Sequence, residues 1–199
     1  MRIVISVLIT LDGVVQAPGG PLEESGDWAR PYIDTEVVGG AVDAALRKAD
    51  ALLLGRRTWQ QMARRWPARA GEPLADRFNA VRKYVVSGTL TDADLTWGPS
   101  TLVPGSGALP RIRDLCASEG GDLLVIGSPT LSRALLTEGL VEELILLRAP
   151  LLLGGGTTLF PADGVRRPME LVSTVTARTG TQVCVYRTAG PDTIPPPAR

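Results

Sequence analysis

Apolar and polar positions fall in blocks along this chain, and most apolar blocks end at a glycine. Residues 2–11 (RIVISVLITL) are rich in β-branched side chains and almost unbroken in hydrophobicity. That is the pattern of a strand buried on both faces, so the segment predicts a central strand. Between positions 34 and 48 apolar residues recur at Val37, Val38, Val42, Ala45 and Leu46, which predicts an amphipathic helix in spite of Gly39-Gly40. Residues 50–54 form a second apolar run that breaks at Gly55 and resumes as Arg56-Arg57-Thr58-Trp59, the pattern of a strand, a tight turn and the first turn of a helix. A short helix is expected at 74–80, strands at 83–89 and 101–104, and a helix at 107–118. The strand–glycine–helix design recurs from Asp122 through Gly127-Ser128 to Pro129, where proline suits the first helical position. A long apolar strand over 142–153 closes at Gly154-Gly155-Gly156, and two more strands, 169–178 and 181–188, meet at Thr179-Gly180.

Strands alternating with helices predict an α/β layer whose sheet is mostly parallel, while the tightly joined last pair must be an antiparallel hairpin. One domain over residues 1–188 is expected, followed by a mobile Pro-rich tail at 189–199 with nothing to pack against. Residues 12–31 read as a long irregular loop, with Pro18-Gly19-Gly20-Pro21 and Ser25-Gly26, of the kind that serves as a lid or binding loop. Trp28 within it is either a substrate wall or a hydrophobic plug, and Trp66, beside Pro67, is a second aromatic candidate for the substrate side.

Composition narrows the chemistry. The formal net charge of +0 argues against a uniformly basic nucleic-acid surface. Basic residues nevertheless crowd residues 56–83, a local field around the glycine turn that suits a small polyanion. No apolar run is long enough to span a membrane, so a cytoplasmic protein is expected. Cys116 and Cys184 are expected as free thiols. The chain has no histidine, which excludes imidazole bases, Ser-His-Asp and Cys-His arrangements and His-ligated zinc.

What remains is the pair of glycine turns. A helix start offers unpaired N–H groups and the positive end of its dipole, so Gly55, Arg56, Arg57 and Thr58 form a candidate phosphate cradle. Gly127, Ser128, Pro129, Thr130 and Leu131 form a second one. A side chain at Gly55 or Gly127 is expected to intrude on the phosphate. Hydride transfer needs position, a dry pocket and often one proton donor. The donor candidates are Asp12, at the end of the first strand, and Asp34 or Glu36, at the start of the following helix, each with a turn or cap as its alternative role.

The order of these motifs resembles the dihydrofolate reductase-like superfamily, and more closely the C-terminal reductase domain of the bifunctional riboflavin-biosynthesis deaminase/reductase and its stand-alone bacterial relatives. The likeness rests on Thr10-Leu11-Asp12-Gly13, residues 50–58, Lys83-Tyr84-Val85-Val86-Ser87, residues 123–128, residues 139–144 and residues 150–154. It implies a three-layer fold with helices on both faces of the sheet, and NADPH across the carboxyl ends of the strands. Gly55, Arg56, Arg57 and Thr58 would then meet phosphates, Ser87, Gly88 and Thr89 would flank the adenosine end, and residues 127–131 would hold the pyrophosphate. Two departures stand out. Gly127-Ser128 replaces a common Gly-Gly, and Gln60-Gln61-Met62 through Trp66-Pro67 replaces the Asp-Pro-rich signature of riboflavin-pathway members. The expected activity is NADPH-dependent reduction of a pterin or pyrimidine heterocycle. The alternatives are an inactive NADP(H)-binding protein and a purely structural homodimer, and a homodimer is expected in any case from the length of the apolar strand at 143–153.

Overall fold

The computed structural model describes residues 1–16 and 28–189, and the chain runs β1 (Arg2–Thr10), α1 (Gly40–Lys48), β2 (Ala49–Gly55), α2 (Arg56–Arg65), α3 (Pro73–Ala80), β3 (Arg82–Ser87), β4 (Ser100–Pro104), α4 (Ala108–Ala117), β5 (Asp122–Ile126), α5 (Pro129–Thr137), β6 (Val141–Ala149), β7 (Met169–Thr176) and β8 (Gln182–Thr188). Residues 17–27 of the expected loop, and residues 190–199 of the expected tail, lie outside the described residues.

The eight strands of the described residues join one sheet in the order β4-β3-β2-β5-β1-β6-β8-β7. Pairing is parallel from β4 through to β6, and antiparallel between β6 and β8 and between β8 and β7. The unbroken hydrophobicity of β1 has its cause here: it pairs on both edges and is covered on both faces. Side chains alternate between the faces along each strand. Val4, Leu8, Leu52 and Leu54 pack with Ala45 and Leu46 of α1, Trp59 and Met62 of α2 and Phe78 of α3. On the other face Ile3, Ile5, Leu53, Leu123 and Val125 meet Ile112 and Leu115 of α4 and Leu135 and Leu136 of α5. The result is the three-layer α/β arrangement of the dihydrofolate reductase-like fold.

Two expectations about elements change. The helix expected at 34–48 opens as a π-helical turn, Thr35–Gly39, before becoming α-helical at Gly40. The strand expected to run to Leu153 stops at Ala149, because Pro150 has no N–H to offer a ladder. The homodimer argument from that strand also moves. β6 is interior, between β1 and β8; the sheet's edges are β4 and β7, and it is β7 that exposes large apolar side chains, with Leu171, Val172 and Val175 52%, 46% and 54% exposed.

Candidate functional site

The two glycine turns, 72 positions apart at Gly55 and Gly127, are brought together because β2 and β5 are neighbours. From their carboxyl ends α2 and α5 leave to opposite faces of the sheet. Adjacent strands whose helices diverge in this way open a crevice at the sheet's carboxyl edge. The β2–β5 ladder runs only as far as Leu52 opposite Leu124, so the last residues of both strands splay.

Among the described residues no side chain caps either helix at its start. The first N–H groups of α2 and α5 therefore lack partners within the helix, and both positive dipole ends point into the same crevice. The turns are also hydrogen-bonded to each other. The Gly55 N–H donates to Ser128 Oγ at 3.0 Å, and the Ser128 N–H donates to Thr58 Oγ1 at 3.1 Å. Ser128 sits in the left-handed region at φ 48° and is buried, and Ser132 Oγ reaches the Gly127 carbonyl at 2.8 Å. Pro129, Thr130 and Leu131 form the first turn of α5.

Within the protein the two glycines differ in what a side chain would meet. A Cβ at Gly55 would sit 3.7 Å from Ser128, an ordinary van der Waals contact, so the neighbouring turn by itself leaves room for a side chain there. Gly127 has φ +57°, and a side chain there would be strained whatever the space.

The basic field also contracts. Arg56 and Arg57 are exposed at the start of α2, and neither has a carboxylate partner among the described residues. The other cations lie elsewhere: Arg64 and Arg65 in the last turn of α2, Arg69 paired with Glu72, and Arg77 paired with Asp43 at 2.7 Å. Lys83 is wholly buried near the opposite end, its ammonium donating to the carbonyls of Asn79, Val81 and Gly98 at 2.9, 2.8 and 3.1 Å.

At the end of β3, Ser87 Oγ accepts the N–H groups of Thr89 and Leu90 at 3.1 and 2.9 Å, shaping a tight turn that leaves Gly88 and Thr89 exposed. β3 neighbours β2. Ser87, Gly88 and Thr89 therefore stand beside the first glycine turn.

On the other side of the crevice lies the end of β1. Asp12 is exposed, takes the Thr10 hydroxyl on one oxygen, and with the other accepts the N–H groups of Leu153 and Gly154 at 3.1 and 2.7 Å. The Thr10 hydroxyl first, then the Gly154 N–H, hold its carboxyl below the ordinary value. That is a correction. A proton donor near neutral pH needs a raised pKa, whereas Asp12 is a clamp that fastens the 150–158 segment to the end of β1. The same segment is tied by Val15 N–H to the Thr157 carbonyl at 2.9 Å, and by Thr157 N–H to Gln16 Oε1 at 2.9 Å. Sequence reasoning missed Gln16 and this zipper, since nothing in either segment announces the other.

Asp34 caps the helix leading into α1. A single oxygen, Oδ1, accepts both Val37 N–H at 2.6 Å and Val38 N–H at 3.2 Å, so Oδ2 has no partner among the described residues. That helix ends where β2 begins, so its start lies at the carboxyl edge of the sheet, with the crevice. Glu36 is exposed in the first turn of the same helix.

The tryptophans are not where the substrate reading put them. Trp28 is 8% exposed, packs in the core on the α1 face and donates Nε1 to the Gln16 carbonyl at 3.0 Å, so it is a plug. Trp66 follows the last residue of α2, about 15 Å along the helix from Gly55. Its ring stacks on Phe78 with centroids 4.3 Å apart, away from the crevice.

Comparison with known proteins follows the same lines. A family model described as the RibD C-terminal domain matches residues 2–185. An uncharacterized protein of Bacillus subtilis (strain 168), YyaP, is 26% identical over 193 residues, covering 95% of this chain and 96% of that protein. Among solved structures, a protein from Shewanella sp. PV-4 described as a riboflavin biosynthesis protein superposes with a TM-score of 0.74 at 22% identity, over 96% of this chain and 100% of that one. A pyrimidine reductase-like protein from Corynebacterium diphtheriae gives 0.62 at 15% identity, over 95% and 92% of the two chains. A diaminohydroxyphosphoribosylaminopyrimidine deaminase/5-amino-6-(5-phosphoribosylamino)uracil reductase from Thermotoga maritima gives 0.65 at 14% identity, over 94% of this chain but 56% of that one.

Proposed function

This chain belongs to the RibD C-terminal domain family, and from that premise we propose that it is an NADPH-dependent reductase transferring hydride to a small heterocycle of the pterin or pyrimidine, riboflavin-precursor, type. The observation that carries the reading is the meeting of two helix starts at the carboxyl ends of β2 and β5, uncapped by side chains among the described residues, beside two cations that have no carboxylate partner among those residues. A dinucleotide carries two linked phosphates and, in the phosphorylated form, a third on the adenosine ribose. Two helix starts answer the first requirement, and Arg56 and Arg57 answer the second.

Bound there, NADPH would supply the hydride. The chain's own groups would do the rest. The N–H groups at the starts of α2 and α5 would hold the pyrophosphate, and the Thr58 hydroxyl, whose oxygen is already an acceptor for Ser128, keeps its proton for a phosphate oxygen. Ser87, Gly88 and Thr89 would flank the adenosine. Asp34 is the acid best placed for the substrate, since its cap bonds fix Oδ1 and leave Oδ2 to act.

One observation favours a second reading, an NADP(H)-binding protein without turnover: both tryptophans expected on the substrate side are committed elsewhere. In either case we propose a homodimer, which the exposed apolar edge of β7 supports. The test is titration with NADPH and NADH, followed by oxidation assays against dihydropterins, the ribosylaminouracil intermediate and quinones. NADPH binding with turnover of one heterocycle is expected. Binding without turnover selects the second reading, and no binding of either nucleotide by folded protein overturns both.

A further inference from the structure

Ser128 is the one non-glycine residue with positive φ among the described residues, and it stands where the sheet splits. β5 keeps its pairing with β1 as far as Ser6 opposite Ile126, while its pairing with β2 ends at Leu52 opposite Leu124. Beyond that point β2 still runs to Gly55, whose N–H faces across the gap with no strand to receive it. Ser128 Oγ receives it, and the Ser128 N–H reaches back across the same gap to Thr58 Oγ1 in the first turn of α2. The first bond joins the N-cap residues of α2 and α5, Gly55 and Ser128, and the second ties Ser128 to the third residue of α2.

The left-handed backbone is what aims this residue. At φ 48° and ψ 57° the chain turns sharply enough for the side chain to point back toward β2 while the helix departs on the other face. Glycine would take the same backbone more easily but has no hydroxyl to span the gap. An L side chain held in that region and 4% exposed is a strained choice, kept in place by its surroundings.

We infer that Ser128 is a positioning residue. Its hydroxyl staples the two phosphate turns together and so sets the distance between the helix starts that must grip one dinucleotide. It does so at the cost of a donor, since the Gly55 N–H is withdrawn from any ligand. The ligand-facing donors are then the N–H groups of the first helical turns. The inference rests on the proposed NADPH reading, and it concerns only ligands that span both turns.

The experiment titrates wild type, Ser128→Ala and Ser128→Gly with NADPH and with adenosine 2′,5′-bisphosphate, a fragment that reaches the first turn and the arginines but cannot bridge to the second. Thermal melts run alongside. Both variants lack the hydroxyl and are expected to weaken NADPH about tenfold, the net worth of roughly one hydrogen bond, while bisphosphate affinity stays within about twofold. Ser128→Gly is expected to melt about 2–4 °C above Ser128→Ala, because only alanine keeps the left-handed strain. Affinity would then follow the staple while stability follows the backbone. Wild-type NADPH affinity in both variants would overturn the inference and leave the cofactor reading standing. Equal losses for NADPH and the bisphosphate would overturn it too, since Ser128 would then serve the fold in general. Failure of wild type to bind NADPH would overturn the cofactor reading and this inference with it.

Discussion

Lys83 offers a quantitative test of the interior, and its consequence is a pH dependence of unusual sign. Its side chain is 0% exposed, and the ammonium lies 4.2 Å from the centroid of the Trp97 ring. It donates to the carbonyls of Asn79 and Val81, around the end of α3, and to that of Gly98. Those carbonyls and the ring favour the charged form, but burial outweighs them and pulls the pKa from 10.5 down to about 8. The gap between the two values corresponds to about 3 kcal/mol. Because the unfolded chain keeps the proton up to its higher pKa, folding releases a proton between pH 8 and 10.5. Stability attributable to this residue therefore rises with pH through that window and falls back as pH drops through about 8. Lys83→Met removes the titration, so subtracting its urea-unfolding free energy from that of wild type, at steps from pH 7 to 10.5, cancels the other ionisable groups. The difference is expected to move toward wild type by about 3 kcal/mol across the range. Parallel curves for the two proteins would refute the reasoning, for they would mean that the three carbonyls and the Trp97 ring fully offset burial.

Arg57→Ala, or Arg56→Ala if that side chain is the one turned to the ligand, should weaken NADPH about ten- to a hundredfold and leave NADH nearly unchanged, since a charge-assisted contact contributes roughly 1.5–3 kcal/mol. Equal losses for both nucleotides, measured by titration, would assign the arginines to the pyrophosphate or the fold. Asp12→Ala should speed hydrogen exchange at the Leu153 and Gly154 amides while leaving the β1 core protected. In wild type the same clamp should hold at neutral pH and loosen only in acid below the ordinary carboxylate range, because its folded pKa is lowered. Light scattering at micromolar concentration should give about twice the 21.1 kDa chain mass, and Val172→Arg on the β7 edge should shift it toward monomer; a monomeric wild type would remove the dimer proposal.

Local pattern was enough for much of this molecule. The β-branched run from Ile3 to Ile9 is legible as a central strand because burial on both faces leaves Ser6 as its one polar residue. The breaks at Gly55 and Gly127 are legible because a strand must turn sharply to become a helix, and the hairpin turn is legible at Thr179-Gly180, where Gly180 takes φ +83°. Even Asp34 could be assigned from its place before an amphipathic run, and the structure finds it as the N-cap. What sequence could not carry was anything decided by which strands lie side by side. That β5 returns to sit between β2 and β1 makes two separate glycine turns into one crevice, and no local signal records it. Charge misled for the same reason. Arg56 and Lys83 belong to one basic stretch of the chain, yet ten residues of helix carry the chain from one end of the sheet to the other. One cation is left at the crevice, the other deep beneath Trp97. Trp28 and Trp66 became a plug and a stacked pair because an aromatic side chain settles where apolar surface is available, and that surface is made by partners distant in sequence. Composition and periodicity thus determined the elements and their punctuation. Tertiary pairing alone decided which helix starts face each other, which carboxylate is a clamp and which is left with an open oxygen, because those outcomes depend on distances that the order of residues does not contain.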